Sequence, residues 1–158
     1  MKNVIKSVLI LFACLYGISA SAQPKWDTRT NSYFKYIYTL PHDFYEMEEI
    51  DPGVTCYRYG DGIEITTYGQ YNYGLWNKYC EYLEDNPCLK IFKDNWFVVS
   101  KDNGDGTEYY VRCGTYQTYI EGEYSDVVAT FIINYPKYAK KRAQQIIQKC
   151  FKGFPHHY

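Results

Sequence analysis

Acidic runs, cysteines and histidines are the side chains of this 158-residue chain that could do chemistry. The acidic residues gather in two places, Glu46, Glu48, Glu49 and Asp51, and then Glu81, Glu84 and Asp85. Two such carboxyls at a suitable separation would furnish the acid and base of glycoside hydrolysis, so a small secreted hydrolase is the alternative reading. No spacing singles out a pair, however, and acidic runs in a loop or at a helix end are ordinarily solvated. The stretch Asp102-Asn103-Gly104-Asp105-Gly106 has the look of a calcium loop. An EF-hand with Gly106 at its glycine position would begin at Lys101 and end at Arg112, placing two cations where oxygen ligands belong. A hairpin turn is the better reading. His156 and His157 fall in the tail, where nothing fixes a ligand set, so no metal and no cofactor are expected. His42 stands alone inside the domain, and no nucleophile-elbow motif is present. No catalytic residue is assigned, and a non-enzymatic role is favoured.

Aromatic residues are the unusual feature, at 20% of the chain with 20 tyrosines. Tyrosine suits a half-buried strand, and most of the rings are expected to pack with only their hydroxyls in water. Yet Tyr71, Tyr73 and Trp76, and then Tyr116, Tyr119 and Tyr124, lie in or beside glycine-rich stretches. Exposed rings there would form a binding face for a protein, peptide or glycan partner. These six residues are the candidate binding site.

The first 22 residues have the form of an export signal: Lys2 and Lys6, a short apolar run from Val8 to Ile18, and Ala20-Ser21-Ala22 before Gln23. Cleavage near Ala22 would leave a periplasmic or extracellular protein without a transmembrane segment, the apolar run being shorter than the ~20 residues that span a bilayer. Lipidation at Cys14, anchoring a lipoprotein, is the alternative. Losing Lys2 and Lys6 leaves 15 basic against 18 acidic residues, a net charge of -3. That balance argues against a nucleic-acid partner, which needs a basic face. An oxidising compartment would permit disulfides among Cys56, Cys80, Cys88, Cys113 and Cys150. Cys80 with Cys88 is the first choice, Cys56 with Cys113 the second, and Cys150 is read as a buried thiol.

These residues need elements to position them. Residues 23–32 read as a flexible lead-in, 33–154 as one domain and 155–158 as a tail. Tyr33–Leu40 reads as a strand, Val54–Tyr59 and Ile63–Tyr68 as a hairpin around Gly60-Asp61-Gly62, and Leu75, Tyr79, Tyr82 and Leu83 as one face of a helix. Cys88–Phe92, Asn95–Ser100, Glu108–Cys113 and Asp126–Ile133 are further strands. Thr115–Ser125 reads as a tyrosine-rich loop. A last helix starts near Pro136 with Ala139, Ala143, Ile146, Ile147 and Cys150 as its apolar stripe. Strands joined by short loops without a βαβ rhythm imply an α+β domain, a central antiparallel sheet flanked by helices.

Asn95-Trp96-Phe97-Val98-Val99-Ser100 with its glycine turn, Tyr109-Tyr110, Tyr135-Pro136 and the helix closing on Cys150-Phe151 resembles bacterial exported proteins of the PsbP-like superfamily. Gly60-Asp61-Gly62-Ile63-Glu64-Ile65, Tyr68-Gly69 and Asn72 resemble the first hairpin of that group. Lys101 and Cys150 depart from its pattern, at positions where glycine and serine are common. The resemblance covers residues 33–151 and implies an α/β/α sandwich. It also implies a binding or assembly role in place of catalysis, although fold alone does not carry function.

Overall fold

In the computed structural model, residues 24–47, 51–120 and 122–157 are described. The export signal, Cys14, Glu48 and Glu49 lie outside them. The elements run β1 (Trp26–Asn31), β2 (Tyr36–Pro41), β3 (Tyr45–Glu46), β4 (Thr55–Arg58), β5 (Glu64–Tyr71), α1 (Leu75–Glu84), β6 (Leu89–Phe92) and β7 (Trp96–Asp102). They continue with β8 (Thr107–Ile120), β9 (Glu123–Pro136), a 3-10 turn (Lys137–Ala139), α2 (Lys140–Cys150) and β10 (His156–His157).

The apolar run from Val127 to Ile133 has no polar face, as befits a strand covered on both sides. It lies in β9, the middle strand of a seven-stranded antiparallel sheet ordered β3-β4-β5-β9-β8-β7-β6. Val127, Ala129, Phe131 and Ile133 point to one face and join a core with Tyr57, Ile65, Tyr36, Tyr38, Leu40 and Ile146. Val128 points to the other and joins Leu75, Tyr79, Phe97, Val99, Val111 and Cys113. Each fully buried side chain of this kind contributes about 1.5–3 kcal/mol, so the two layers together hold the sheet.

The expected helix-flanked α+β sandwich is corrected by this layering. Strands make 52% and helices 19% of the structure, and the fold is mostly β. What lies over the Phe131 face is chiefly a second sheet, ordered β1-β2-β10, with α2 packed across β2 and β9. Residues 26–31, read as lead-in, form β1 because Asp27, Arg29 and their neighbours pair with the whole length of β2. The stretch read as a loop at Thr115–Ser125 is strand too. Thr115 to Ile120 pair with Val128 back to Glu123, so β8 and β9 make one long hairpin. Alternation of Tyr, Gln and Thr satisfies a strand as well as a loop, and glycine occurs only at the tip. Among the described residues no helix is long and apolar enough to cross a membrane.

Candidate functional site

The β1–β2 hairpin turns through Ser32-Tyr33-Phe34-Lys35, joining Asn31 to its partner Tyr36. Asn31 is buried and organises this turn. Its side-chain amide donates to the Gly53 carbonyl at 2.7 Å and to the Tyr36 hydroxyl at 3.2 Å, while its carbonyl oxygen accepts from the Phe34 backbone N–H at 2.9 Å. Every polar atom of the amide is thereby occupied, the condition for burying it without penalty. Tyr36 in turn shares a 2.5 Å hydrogen bond with Thr67 of β5.

Phe34 is the plug that seats the turn. A side chain at Gly69 would put its Cβ 2.5 Å from Phe34 Cγ, and one at Gly53 would come within 2.7 Å of the same ring. The two glycines therefore form the socket, and Gly53 also adopts a left-handed φ of 81°. Tyr116 donates its hydroxyl to the Phe34 carbonyl from below, and Tyr71 donates to the Tyr33 carbonyl at 2.7 Å. Burial raises the pKa of Tyr71 above that of an ordinary phenol, with the neighbouring Tyr33 adding to the rise, so Tyr71 stays a donor at neutral pH.

Seated in this way, Tyr33 keeps 52% of its surface exposed, its ring edge-on to Phe34 at 4.8 Å and tilted against Tyr71 at 6.0 Å. A cleft opens on each side of it. One, of about 510 Å³, is bounded by Thr30, Ser32, Lys35, Tyr38, Glu46 and Thr55. The other, of about 460 Å³, is bounded by Ser32, Lys35, Tyr71, Ile120 and Ser125. Ser32, Tyr33 and Lys35 belong to both. The arrangement is a fixed aromatic ridge between a polar trough and a mixed one, with one cation, one carboxylate and several hydroxyls at hand. On the floor of the first, the Tyr38 and Tyr57 hydroxyls are 2.6 Å apart, and burial drives both phenols upward in pKa.

The six tyrosine and tryptophan candidates do not share this site. Tyr71 lines it. Tyr116 is buried beneath it and acts as a support. Tyr119 and Tyr124 stand opposite each other near the tip of the β8–β9 hairpin, rings 5.1 Å apart and well exposed, but pairing puts them on the sheet face opposite Tyr71. Trp76 lies on α1 against Phe92 at 5.3 Å. Tyr73 hydrogen-bonds Glu81 and faces Lys78, whose Nζ lies 5.2 to 5.8 Å from the rings of Tyr68, Tyr73 and Tyr82. Tyr33 and Lys35 were missed because the aromatic run reads as uninterrupted strand. The signal was Asn31-Ser32, a turn-forming pair standing directly before it.

Of the acid–base candidates, Glu81 is engaged by its neighbours. Lys78 bonds Glu81 at 2.7 Å; burial works against its charge, but Glu81 and Tyr68 outweigh that and hold its pKa above the ordinary value. Glu81 is held down by Lys78 and Tyr73 against its own desolvation, which makes it a poor proton donor. His42 Nδ1 lies 3.0 Å from Asp27, a dyad on an exposed edge. Asp102 binds the Gly104 N–H at 2.9 Å and Lys137 at 2.6 Å, and Asp105 accepts from Thr107, so the glycine-rich turn uses its own carboxylates. No group of three metal-ligating side chains occurs among the described residues.

The disulfide expectations are corrected as well. Cys56, Cys80, Cys88, Cys113 and Cys150 are all free thiols. Cys56 on β4 and Cys113 on β8 are separated by β5 and β9, which at ~4.8 Å per strand is about 14 Å and twice the bridging limit. Cys88 points its Sγ to the Ser100 carbonyl at 3.3 Å, and Cys80 stays on α1 without reaching it. Cys113 bonds Thr130 at 3.2 Å inside the core, where burial pushes its thiol up to about 12 and removes it as a nucleophile.

Compared with family models, curated proteins and solved structures, the chain matches none.

Proposed function

We propose that this chain is a non-catalytic binding module that holds a polyhydroxylated ligand, a saccharide, across the Tyr33 turn. The observation that carries the reading is an exposed tyrosine ring fixed from two sides between two clefts of matching size. Rigid aromatic rings supply contact area at low entropic cost, and their flat faces suit the apolar face of a sugar ring. The surrounding Thr30, Ser32, Thr55 and Ser125 hydroxyls, with Lys35 and Glu46, supply the polar groups that orient such a ligand.

Binding is favoured over hydrolysis by the same lining. Glycoside hydrolysis needs two carboxyls, and among the described lining residues Glu46 alone carries one. A binding role is also what the PsbP-like resemblance implies. The export signal read at residues 1–22 supports a place of action outside the cytoplasm.

A glycan array probed with the chain, followed by calorimetric titration of the best saccharide, tests the proposal. Binding that is lost on Tyr33→Ala and kept on Tyr124→Ala supports it. An array without a hit, or a hit indifferent to Tyr33, removes it.

A further inference from the structure

Strand β6 closes one end of the seven-stranded sheet, and its residues Leu89, Lys90, Ile91 and Phe92 are all exposed. It carries no proline, and a bulge stands only at its start, where the Cys88 N–H reaches the Ser100 carbonyl at 2.9 Å beside the Leu89–Ser100 pair; from Lys90 to Phe92 the ladder is regular. The phase of its ladder is set at the turn, where the Lys93 N–H donates to the Trp96 carbonyl at 2.9 Å. Antiparallel alternation from that bond makes Ile91 and Leu89 exchange hydrogen bonds with Val98 and Ser100. The N–H and C=O groups of Lys90 and Phe92 therefore point outward, away from the sheet.

The chemistry that satisfies such a row is another extended backbone, and the same edge of a second copy supplies it. A twofold axis brings outward residues opposite one another in three registers. Centring on Lys90, or on Phe92, makes one ring of two N–H···O bonds between strand residues. Centring on Ile91 sets Lys90 against the partner's Phe92 twice over and makes four. That register also suits the side chains. Ile91 meets the partner's Ile91 at the close, non-hydrogen-bonded position on one sheet face. On the other face the Lys90 ammonium lies over the partner's Phe92, a cation–π pair, and Trp76 backs Phe92 within its own chain.

We propose that β6 is a self-docking edge, through which two copies pair about a twofold at Ile91 and continue one sheet of fourteen strands. Four residues a side fall short of the ~1,200–2,000 Å² of a standing interface, so the dimer is a weak, concentration-dependent one.

Sedimentation of the purified chain over a wide concentration range tests this. The mean mass is expected to climb from one chain toward two. Lys90→Pro removes an outward N–H that β7 does not use, a position where an edge strand tolerates proline, and should weaken association roughly 5- to 100-fold at unchanged melting temperature. Should Lys90→Pro fail to fold, a second variant reads the register directly. Ile91→Cys in a Cys88→Ser background should oxidise to a covalent dimer, because opposed β-carbons at this position lie about 4.5–5.5 Å apart, whereas Asn95→Cys should not. A constant single-chain mass, a dimer indifferent to Lys90→Pro, or equal cross-linking at Asn95→Cys would each overturn the proposal.

Discussion

The Tyr71 hydroxyl donates a 2.7 Å hydrogen bond to the carbonyl of Tyr33, tying the end of β5 to a turn 38 residues earlier. This bond fixes the height of the Tyr33 ridge over its two clefts. Tyr71→Phe keeps the ring that packs on Phe34 and deletes only the donor. It is expected to cost about 0.5–1.5 kcal/mol of stability and to weaken saccharide binding by a similar factor. Chemical denaturation and calorimetry on the same variant measure the two.

Gly69 is the socket of the plug. An alanine there sets a methyl 2.5 Å from Phe34 Cγ, a contact that displaces the ring. Overpacking of this kind costs about 1–3 kcal/mol, so Gly69→Ala should lower the melting temperature visibly and loosen the turn. Double substitution with Phe34→Ala relieves the clash; stability changes that simply add would contradict the socket description.

Thiol reactivity should follow burial. Cys88 is exposed and should alkylate fastest, Cys56 and Cys80 more slowly, and Cys113 and Cys150 only after denaturation. The last two are protected both by the core and by thiol pKa values pushed up to about 12. Mass spectrometry after timed iodoacetamide labelling gives the order, and native labelling of Cys113 would contradict it.

Acid should weaken the link between α2 and the sheet. The Lys140 ammonium at 2.8 Å and the Tyr135 hydroxyl at 2.9 Å hold the Glu108 carboxyl below its ordinary 4.5. The unfolded chain binds this proton first as pH falls. The stabilisation is thus complete above about 4.5 and lost as pH drops through the lower folded value. Glu108→Gln should show a shallower loss of stability between pH 5 and 3 than the parent, in parallel urea titrations.

Much of the sheet was legible. The apolar run of β9, the glycine turns at Gly62 and Gly104, and the stripe of α2 are local signals, and each became the element its pattern specified. The layer opposite Phe131 was not, because β1 is polar and its strand character comes from pairing with β2. The site was half legible for a related reason. Tyrosine marked the region, but whether a ring faces solvent or core depends on register. Tyr116 and Gln117 are neighbours in sequence and point to opposite faces. Tyr33 escaped notice since the turn that lifts it is seated by Gly53 and Gly69, both distant in sequence, and only its Asn31 anchor is local.

Tyr33 is the proposed contact surface. Titrating the best saccharide from an array into the parent and into Tyr33→Ala, with melting temperatures recorded for both, tests it most directly. Loss of the ring's stacking, about 1–3 kcal/mol by analogy with other aromatic platforms, should weaken binding roughly 5- to 150-fold at an unchanged melting temperature. Equal affinity for the parent and Tyr33→Ala would contradict the account.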